Sequence, residues 1–244
     1  MIKFEKVHKY LGGHHILKGV DLHIKKGETF VLVGPSGTGK SVMLRHIIGL
    51  HFADEGAVIV NGQDLKKASN RELEKIRFNC GMLFQSGALL NWMSVADNIA
   101  LPLIENTKLS KSEIQKKVDA VLPLVELEHA GHKNPSDISG GMKKRAGLAR
   151  AIITEPDIVL YDEPTSGLDP VMSRKVDKLI LNLNKKLNVT SLVVTHDLQS
   201  AFSIADRIAM IYKGEIIICD TVENFKKCQH EVVREFIAAQ TVSI

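Results

Sequence analysis

Thr29-Phe30-Val31-Leu32-Val33-Gly34-Pro35-Ser36-Gly37-Thr38-Gly39-Lys40-Ser41 reads as a strand, a glycine-rich turn and the first residues of a helix. Thr29–Val33 is a β-rich apolar run suited to a strand buried on both faces. Gly34 to Gly39 forms the turn, and Lys40 to Leu50 continues as a helix ending near Gly49. Strand, loop and helix in this order are the context a phosphate-binding loop requires. There, successive backbone N–H groups and the helix N-terminus surround β- and γ-phosphates. Glycines let the backbone approach the anion at angles a Cβ would forbid. Gly34, Pro35, Ser36, Gly37, Thr38, Gly39, Lys40 and Ser41 are therefore predicted to hold a nucleotide. Lys40 would neutralise β/γ oxygens, and the Ser41 hydroxyl would ligate Mg²⁺.

Two further stretches give the loop its company. Ile158-Val159-Leu160-Tyr161-Asp162-Glu163 is an apolar strand ending in acid. Asp162 then lies at the sheet edge where open α/β folds bind ligands, and can hold the Mg²⁺ shell. Glu163, one residue on, points elsewhere and can polarise a water as general base. Between loop and acid, Ile138-Ser139-Gly140-Gly141-Met142 opens a helix with Met142, Ala146, Ala149 and Ile153 at helical spacing. A serine and two glycines at a helix start form an anion-binding end. The chain's own loop already occupies the nucleotide's phosphates. Ser139, Gly140 and Gly141 are thus expected to face the γ-phosphate bound by a second copy.

Composition sets the outer bounds. The 244 residues suffice for one compact α/β domain with an inserted lobe. Hydrophobic and charged contents of 44% and 25% are ordinary for a soluble globular protein. The excess of 32 basic over 28 acidic residues is too small to imply nucleic acid. Cys80, Cys219 and Cys228 are widely spaced, without a metal-ligand pattern, and fit free thiols. The N-terminus lacks a signal-peptide core. The most apolar stretch, Gly87 to Ile104, is interrupted by Asn91, Asp97, Asn98 and Pro102, so no membrane span is expected.

Residues 2–25 read as alternating strands broken at Gly12-Gly13, and Val58–Gly62 as a strand entering a turn. Ser69–Glu72 and Ser110–Glu113 are capping boxes that open helices, the second carrying Ile114, Val118, Leu122 and Val125. Helix signals dominate from about 86 to 155. Strand signals return at Asp157–Tyr161, Thr190–Thr195, Ile208–Tyr212 and Glu215–Cys219. Asp169-Pro170 caps a helix with Val176, Leu179, Leu183 and Leu187 on one face. Strand–helix–strand alternation implies parallel pairing and right-handed crossovers.

Gly34–Ser41, Gln85, Ile138–Met142, Tyr161–Pro164, Ser166-Gly167-Leu168-Asp169 and His196, in this order, resemble the motif set of ABC transporter ATPases over nearly the whole chain. The resemblance implies an α/β P-loop NTPase: a RecA-like core with an N-terminal antiparallel β subdomain and an inserted helical subdomain. It implies a single ATPase domain over 1–244, with its core at about 1–85 and 156–220, the helical subdomain at about 86–155 and a C-terminal tail at 221–244. ATP and Mg²⁺ are the implied cofactors, and a head-to-tail homodimer with two composite sites the implied assembly. By the same resemblance Gln85 touches Mg²⁺ or water and couples the site to a membrane permease docking near 85–103. Asp169 belongs to a loop crossing the dimer interface, and His196 contacts the γ-phosphate. Read bare, Thr195-His196-Asp197 is a helix cap at Thr195 beside a surface histidine. The family's adenine-stacking aromatic sits where this chain has Leu11, which leaves base stacking by the preceding Tyr10 open.

The variant end of the motif, Met142 with Lys143-Lys144-Arg145 behind it, departs from the usual Leu-Ser-Gly-Gly-Gln. With Phe84–Leu90 and Asn98–Leu103 it resembles the ATPases of MCE-type (mammalian cell entry) systems, including those that move phospholipids. That branch implies lipid cargo, an MCE-domain lipid-binding partner and a peripheral place on the cytoplasmic face of the inner membrane. Trp92 and Met93 suit either a greasy docking groove or the lobe core. Importers of small polar solutes are the nearest alternative. Related ATPases acting on nucleic acid carry long insertions or basic arms, and no nucleic-acid partner is expected here.

Overall fold

A computed structural model describes residues 1–241; positions 242–244 of the expected tail lie outside the described residues. The elements run β1 (Ile2–Leu11), β2 (His14–Ile24), β3 (Thr29–Val33), α1 (Lys40–Ile47), β4 (Glu55–Val60), β5 (Gln63–Asp64), α2 (Asn70–Phe78) and β6 (Cys80–Leu83). They continue α3 (Val95–Asn106), α4 (Lys111–Val121), α5 (Gly140–Ile152), β7 (Ile158–Asp162), α6 (Pro170–Leu187) and β8 (Thr190–Thr195). The chain closes with α7 (Leu198–Ile204), β9 (Arg207–Tyr212), β10 (Glu215–Thr221), α8 (Val222–Lys226) and α9 (Glu231–Thr241). Short 3₁₀ turns cover Pro123–Val125 and Pro135–Asp137.

The chain divides into two compact units, one of Met1–Arg77 with the segment from Thr190 onward, the other Phe78–Val189. In the first, β2-β1-β4-β5 forms an antiparallel sheet. Beside it stands a second set of strands in which β3 pairs in parallel with both β8 and β9, and β10 runs antiparallel to β9. Phe30–Val33, Leu192–Val194 and Ile208–Ile211 are fully buried. Unbroken apolar runs of this kind are what a parallel sheet covered on both faces requires.

The second unit pairs β6 and β7 in parallel and includes α3, α4, α5 and α6, with α5 packed on β6 and α3 on α4 and α5. It is therefore wider than the helical stretch read at 86–155, because two strands and α6 cluster with those helices. Ser110 makes the predicted capping box with Glu113, a cap typically worth about 1 kcal/mol. Ile114, Val118 and Val121 of α4 are buried, about 1.5–3 kcal/mol for each side chain taken from water.

Helix α6 starts where Asp169 caps it, but its buried stripe is Val176, Ile180 and Leu183 with Asp177 and Asn184. The stripe turns toward Asn184 because Tyr161, fully buried, donates its hydroxyl to Asn184 Oδ1 at 3.2 Å. Helix α7 is capped by Asp197, whose carboxylate accepts from Gln199 and Ser200 N–H; Thr195 Oγ1 instead accepts from Asp197 N–H at 3.0 Å. The cap expected at Thr195 thus sits two residues later. Cys80, Cys219 and Cys228 are free thiols. Among the described residues, no helix is long and apolar enough to cross a membrane.

Candidate nucleotide site

Parallel pairing of Val33 with Thr195 sets Gly34–Ser41 and His196 at one edge of the first unit, just past the C-terminal ends of β3 and β8. That edge is where open α/β sheets take ligands. Gly34, at φ +153°, has no room for a side chain, since a Cβ would lie 2.3 Å from the Ile211 carbonyl oxygen. Gly37, at φ +79°, has nothing within 4 Å of a built Cβ. The first glycine is demanded by packing and the second by backbone angle over open space. Lys40 is buried, and its Nζ donates to Gly34 O at 2.7 Å and Pro35 O at 3.0 Å. Thr38 Oγ1 also donates to Pro35 O, at 2.9 Å. The cationic lysine head is thereby held over the loop, and Ser41 stands half-buried in the first turn of α1.

His196 is exposed, and its backbone is gripped by a residue the sequence reading did not single out. Gln240 of α9 donates from Nε2 to His196 O at 2.7 Å and accepts at Oε1 from Leu198 N–H at 2.8 Å. Tyr10 faces His15 across the β1–β2 hairpin, with ring centroids 4.2 Å apart and planes 12° apart. His8 stacks on His15 as well, at 5.2 Å. Tyr10 N–H donates to Asp54 Oδ2 at 2.6 Å. That bond, then the one from Lys9, holds the Asp54 carboxyl below the ordinary range. Tyr10 remains 46% exposed, while Leu11 is half-buried.

In the second unit, parallel pairing of Leu83 with Tyr161 brings Gln85, Asp162 and Glu163 to one strand edge. Gln85 is exposed, and Asp162 and Glu163 are half-buried. Arg150 of α5 fixes the stretch after Gln85, donating to Gly87 O at 2.9 Å and Ala88 O at 2.7 Å. Ser139 caps α5, its Oγ accepting from Met142 N–H at 3.3 Å. Among the described residues, no backbone atom crowds the two glycines next to it. A Cβ on Gly140 would meet Leu168 at an ordinary 3.9 Å, and one on Gly141 would touch only the movable end of Met172.

Glu163 adopts φ +50°, a left-handed conformation costing a non-glycine residue about 1–2 kcal/mol. Lys144, seen in the sequence only as part of a basic run, lies beside it. Buried in α5, it donates from Nζ to Glu163 O at 2.9 Å and to Ser166 Oγ at 3.4 Å. Ser166 N–H donates to the same Glu163 carbonyl at 3.2 Å. Burial lowers the pKa of the Lys144 ammonium, and the carboxylates of Glu163 and Asp162 oppose that shift.

Among the described residues, no three His, Cys, Asp or Glu side chains cluster as a metal cage. Ser41 and Asp162 are donors of the kind Mg²⁺ uses when phosphates complete its shell. The glycine-lined cradle under Lys40 likewise fits a phosphate chain.

Residues 17–166 match the family model described as ABC transporter. The chain is 42% identical over 234 residues to "Probable ribonucleotide transport ATP-binding protein mkl" of Mycobacterium tuberculosis, an alignment taking in 96% of this chain and 65% of the relative. It is 45% identical to the methionine import ATP-binding protein MetN of Clostridium acetobutylicum, covering 92% of this chain and 70% of MetN. Among solved structures it is similar to a dimeric ATP-binding cassette in a post-hydrolysis state bound to ADP and Pi. That likeness has a TM-score of 0.83, 34% identity, and coverage of 91% of this chain and 99% of the cassette. The chain spans about two-thirds of the length of the mycobacterial relatives. Motif register, fold and these likenesses agree, and the chain belongs to the ABC transporter family as one of its ATP-binding cassettes.

Proposed function

We propose that this chain binds and hydrolyses ATP as the motor subunit of a membrane transporter, residues 1–244 acting as one ATPase domain. The observation that carries the reading is the pair of strand registers, Val33 with Thr195 and Leu83 with Tyr161. They set loop and His196, and Gln85 and Asp162–Glu163, just past the C-terminal ends of parallel strands. Gly34–Ser41 bind the β- and γ-phosphates, with Lys40 supplying the positive charge. Ser41, Gln85 and Asp162 would be the side chains that hold Mg²⁺, which would supply positive charge against the phosphates. Glu163 takes the proton of the attacking water, and His196 senses the γ-phosphate. Tyr10, backed by His15, offers a stacking face for adenine.

Two copies form the working unit. Ser139, Gly140 and Gly141 present a helix N-terminus to the γ-phosphate held by the other copy. Within the chain a Cβ on Gly140 or Gly141 would meet only the side chain of Leu168 and the flexible end of Met172, which supports that role. ATP then binds the closed dimer best, and hydrolysis with product release opens it, which is what can drive a bound permease. The permease docks near 85–103, where Trp92 is 80% exposed, and the subunit sits peripherally on the cytoplasmic face of the inner membrane.

For cargo, the Met142 motif end with Phe84–Leu90 and Asn98–Leu103 supports a lipid, most simply a phospholipid, delivered with an MCE-domain subunit. The 45% identity to MetN supports the second reading, an importer of a small polar solute. Purification of the tagged chain with its permease separates the two. Phospholipid and an MCE-domain subunit in the complex support the first, and ATPase stimulation by methionine or another polar solute, without lipid, supports the second. For the motor itself, Glu163→Gln is expected to bind ATP and trap a dimer on size exclusion; hydrolysis at the wild-type rate would refute the base. Lys40→Ala is expected to lose nucleotide binding, and tight binding by it would refute the phosphate role.

A further inference from the structure

Lys144 is a buried cation with no place in the roles assigned so far, and its hydrogen bonds end on the turn that carries Glu163. The turn Glu163-Pro164-Thr165-Ser166 closes through Ser166 N–H to Glu163 O at 3.2 Å. Lys144 Nζ reaches both ends of it, at 2.9 Å to Glu163 O and 3.4 Å to Ser166 Oγ. Glu163 itself is held at φ +50°, where a residue with a Cβ does not stay without support. Its direction off the strand depends on that angle. Lys144 lies in α5, five residues after Ser139 and one turn inside the helix.

We propose that Lys144 is a positioning residue for Glu163, locking the turn so that the carboxylate keeps one aim during hydrolysis. Lys144 acts on Glu163 through the Glu163 backbone carbonyl and the Ser166 hydroxyl. Because it belongs to the helix opened by Ser139-Gly140-Gly141, it also gives that helix a direct hold on the hydrolytic residue. The inference rests on Glu163 being the base.

The test compares Lys144→Met, which fills the space without a donor, with Lys144→Gln, which keeps a donor on a shorter stem. Loss of a charged donor from a backbone acceptor should lower kcat about 10- to 100-fold in Lys144→Met, with KM and the Kd for a fluorescent ATP analogue within about twofold of wild type. Lys144→Gln should lose only about 3- to 10-fold by the same measure, and carries the test alone if the apolar variant fails to fold. In a Glu163→Gln background, adding Lys144→Met should change the residual single-turnover rate by less than about threefold and leave the ATP-trapped dimer intact, since coupled residues are not additive. The proposal falls if kcat is unchanged in both variants, if the loss appears in KM and Kd instead, or if it recurs in full when Glu163 is already replaced. A wild-type rate in Glu163→Gln alone would remove the base reading beneath it. An inert Lys144 beside a crippled Glu163→Gln would remove only this one.

Discussion

Gln240 holds the backbone of His196 from 44 residues away: its Nε2 donates to His196 O at 2.7 Å while its Oε1 accepts from Leu198 N–H at 2.8 Å. One amide thus spans both sides of Asp197, the cap of α7, and ties the start of that helix to α9. A histidine that senses a γ-phosphate needs a fixed backbone, because a shift of about 1 Å at a reacting centre can cost 100-fold. If His196 has the role proposed for it, α9 orders the chemistry without contributing a group to it.

Gln240→Ala removes both bonds, each worth about 0.5–1.5 kcal/mol. If that loss falls on the His196 loop, kcat should drop about 5- to 30-fold with little change in ATP affinity. Exchange of the Leu198 amide should quicken in parallel. Unchanged exchange at Leu198 would mean that α9 does not order this loop.

Two glycines of the phosphate loop should fail differently. In Gly34→Ala the new methyl would meet the Ile211 carbonyl oxygen at 2.3 Å, and neither backbone can yield without breaking the β3–β9 pairing. A loss of more than about 3 kcal/mol, seen as a large fall in the urea midpoint, is expected. Gly37→Ala has open space and only the cost of φ +79°. It should fold with a penalty of about 1–2 kcal/mol while ATP binding weakens far more than stability, because the methyl enters the phosphate cradle. Equal urea midpoints for the two variants would contradict this account.

What the sequence made legible was local or periodic. Gly34–Ser41, the Ser110–Glu113 box, Asp169-Pro170 and the apolar runs of β3, β7 and β8 each announce themselves within a few residues. Strand registers then carried Gln85, Glu163 and His196 to strand edges without further information. Lys144 and Gln240 were invisible for the opposite reason. Their partners lie 19 and 44 residues away, and a lysine in a basic run or a glutamine near a terminus has no local signature. Asn184 misled the reading of α6, since a buried asparagine is unexpected until Tyr161 is seen to need an acceptor. Thr195 gave way to Asp197 as a cap because both belong to the same turn and only geometry ranks them.

His46 should give the fold an acid-sensitive point just behind the phosphate loop. It is fully buried in α1, its Nδ1 lies 2.8 Å from Val42 O, and its Nε2 has no hydrogen-bond partner among the described residues. A carbonyl can only accept, so Nδ1 carries the proton and Nε2 is the unprotonated nitrogen of a buried ring. Protonating it would bury a charge, and burial accordingly lowers its pKa from 6.5, with His51 and Lys9 adding to the shift against Val42 O and Asp54. The unfolded chain then binds a proton near pH 6.5 that the folded chain refuses. Stability is full above that pH and declines as pH falls below it, by up to about 1.4 kcal/mol per unit for one group. Urea unfolding at pH 7.5 and 5.5 should show that decline, and His46→Leu should reduce it by about 1 kcal/mol. An identical pH slope in the variant would assign the effect elsewhere.

Trp92 is the sole tryptophan, and at 80% exposed it cannot be part of a core, whereas Met93 beside it is half-buried. Of the two roles open for this pair, Trp92 is free to serve only the outer one. A large apolar ring left in water near the start of α3 contributes little to folding, so Trp92→Ala should keep the urea midpoint within about 0.5 kcal/mol of wild type. Its worth should appear on docking, where a buried tryptophan commonly supplies about 2 kcal/mol or more. Fluorescence reads this once the emission of the same complex formed with Trp92→Ala is subtracted, because this chain has no other tryptophan. Emission of the isolated subunit should resemble that of free tryptophan in the same buffer. It should shift to shorter wavelength when a detergent-solubilised permease complex is added, and Trp92→Ala should weaken that complex about 30-fold or more. An unshifted spectrum on stable association would place the permease contact elsewhere than residues 85–103.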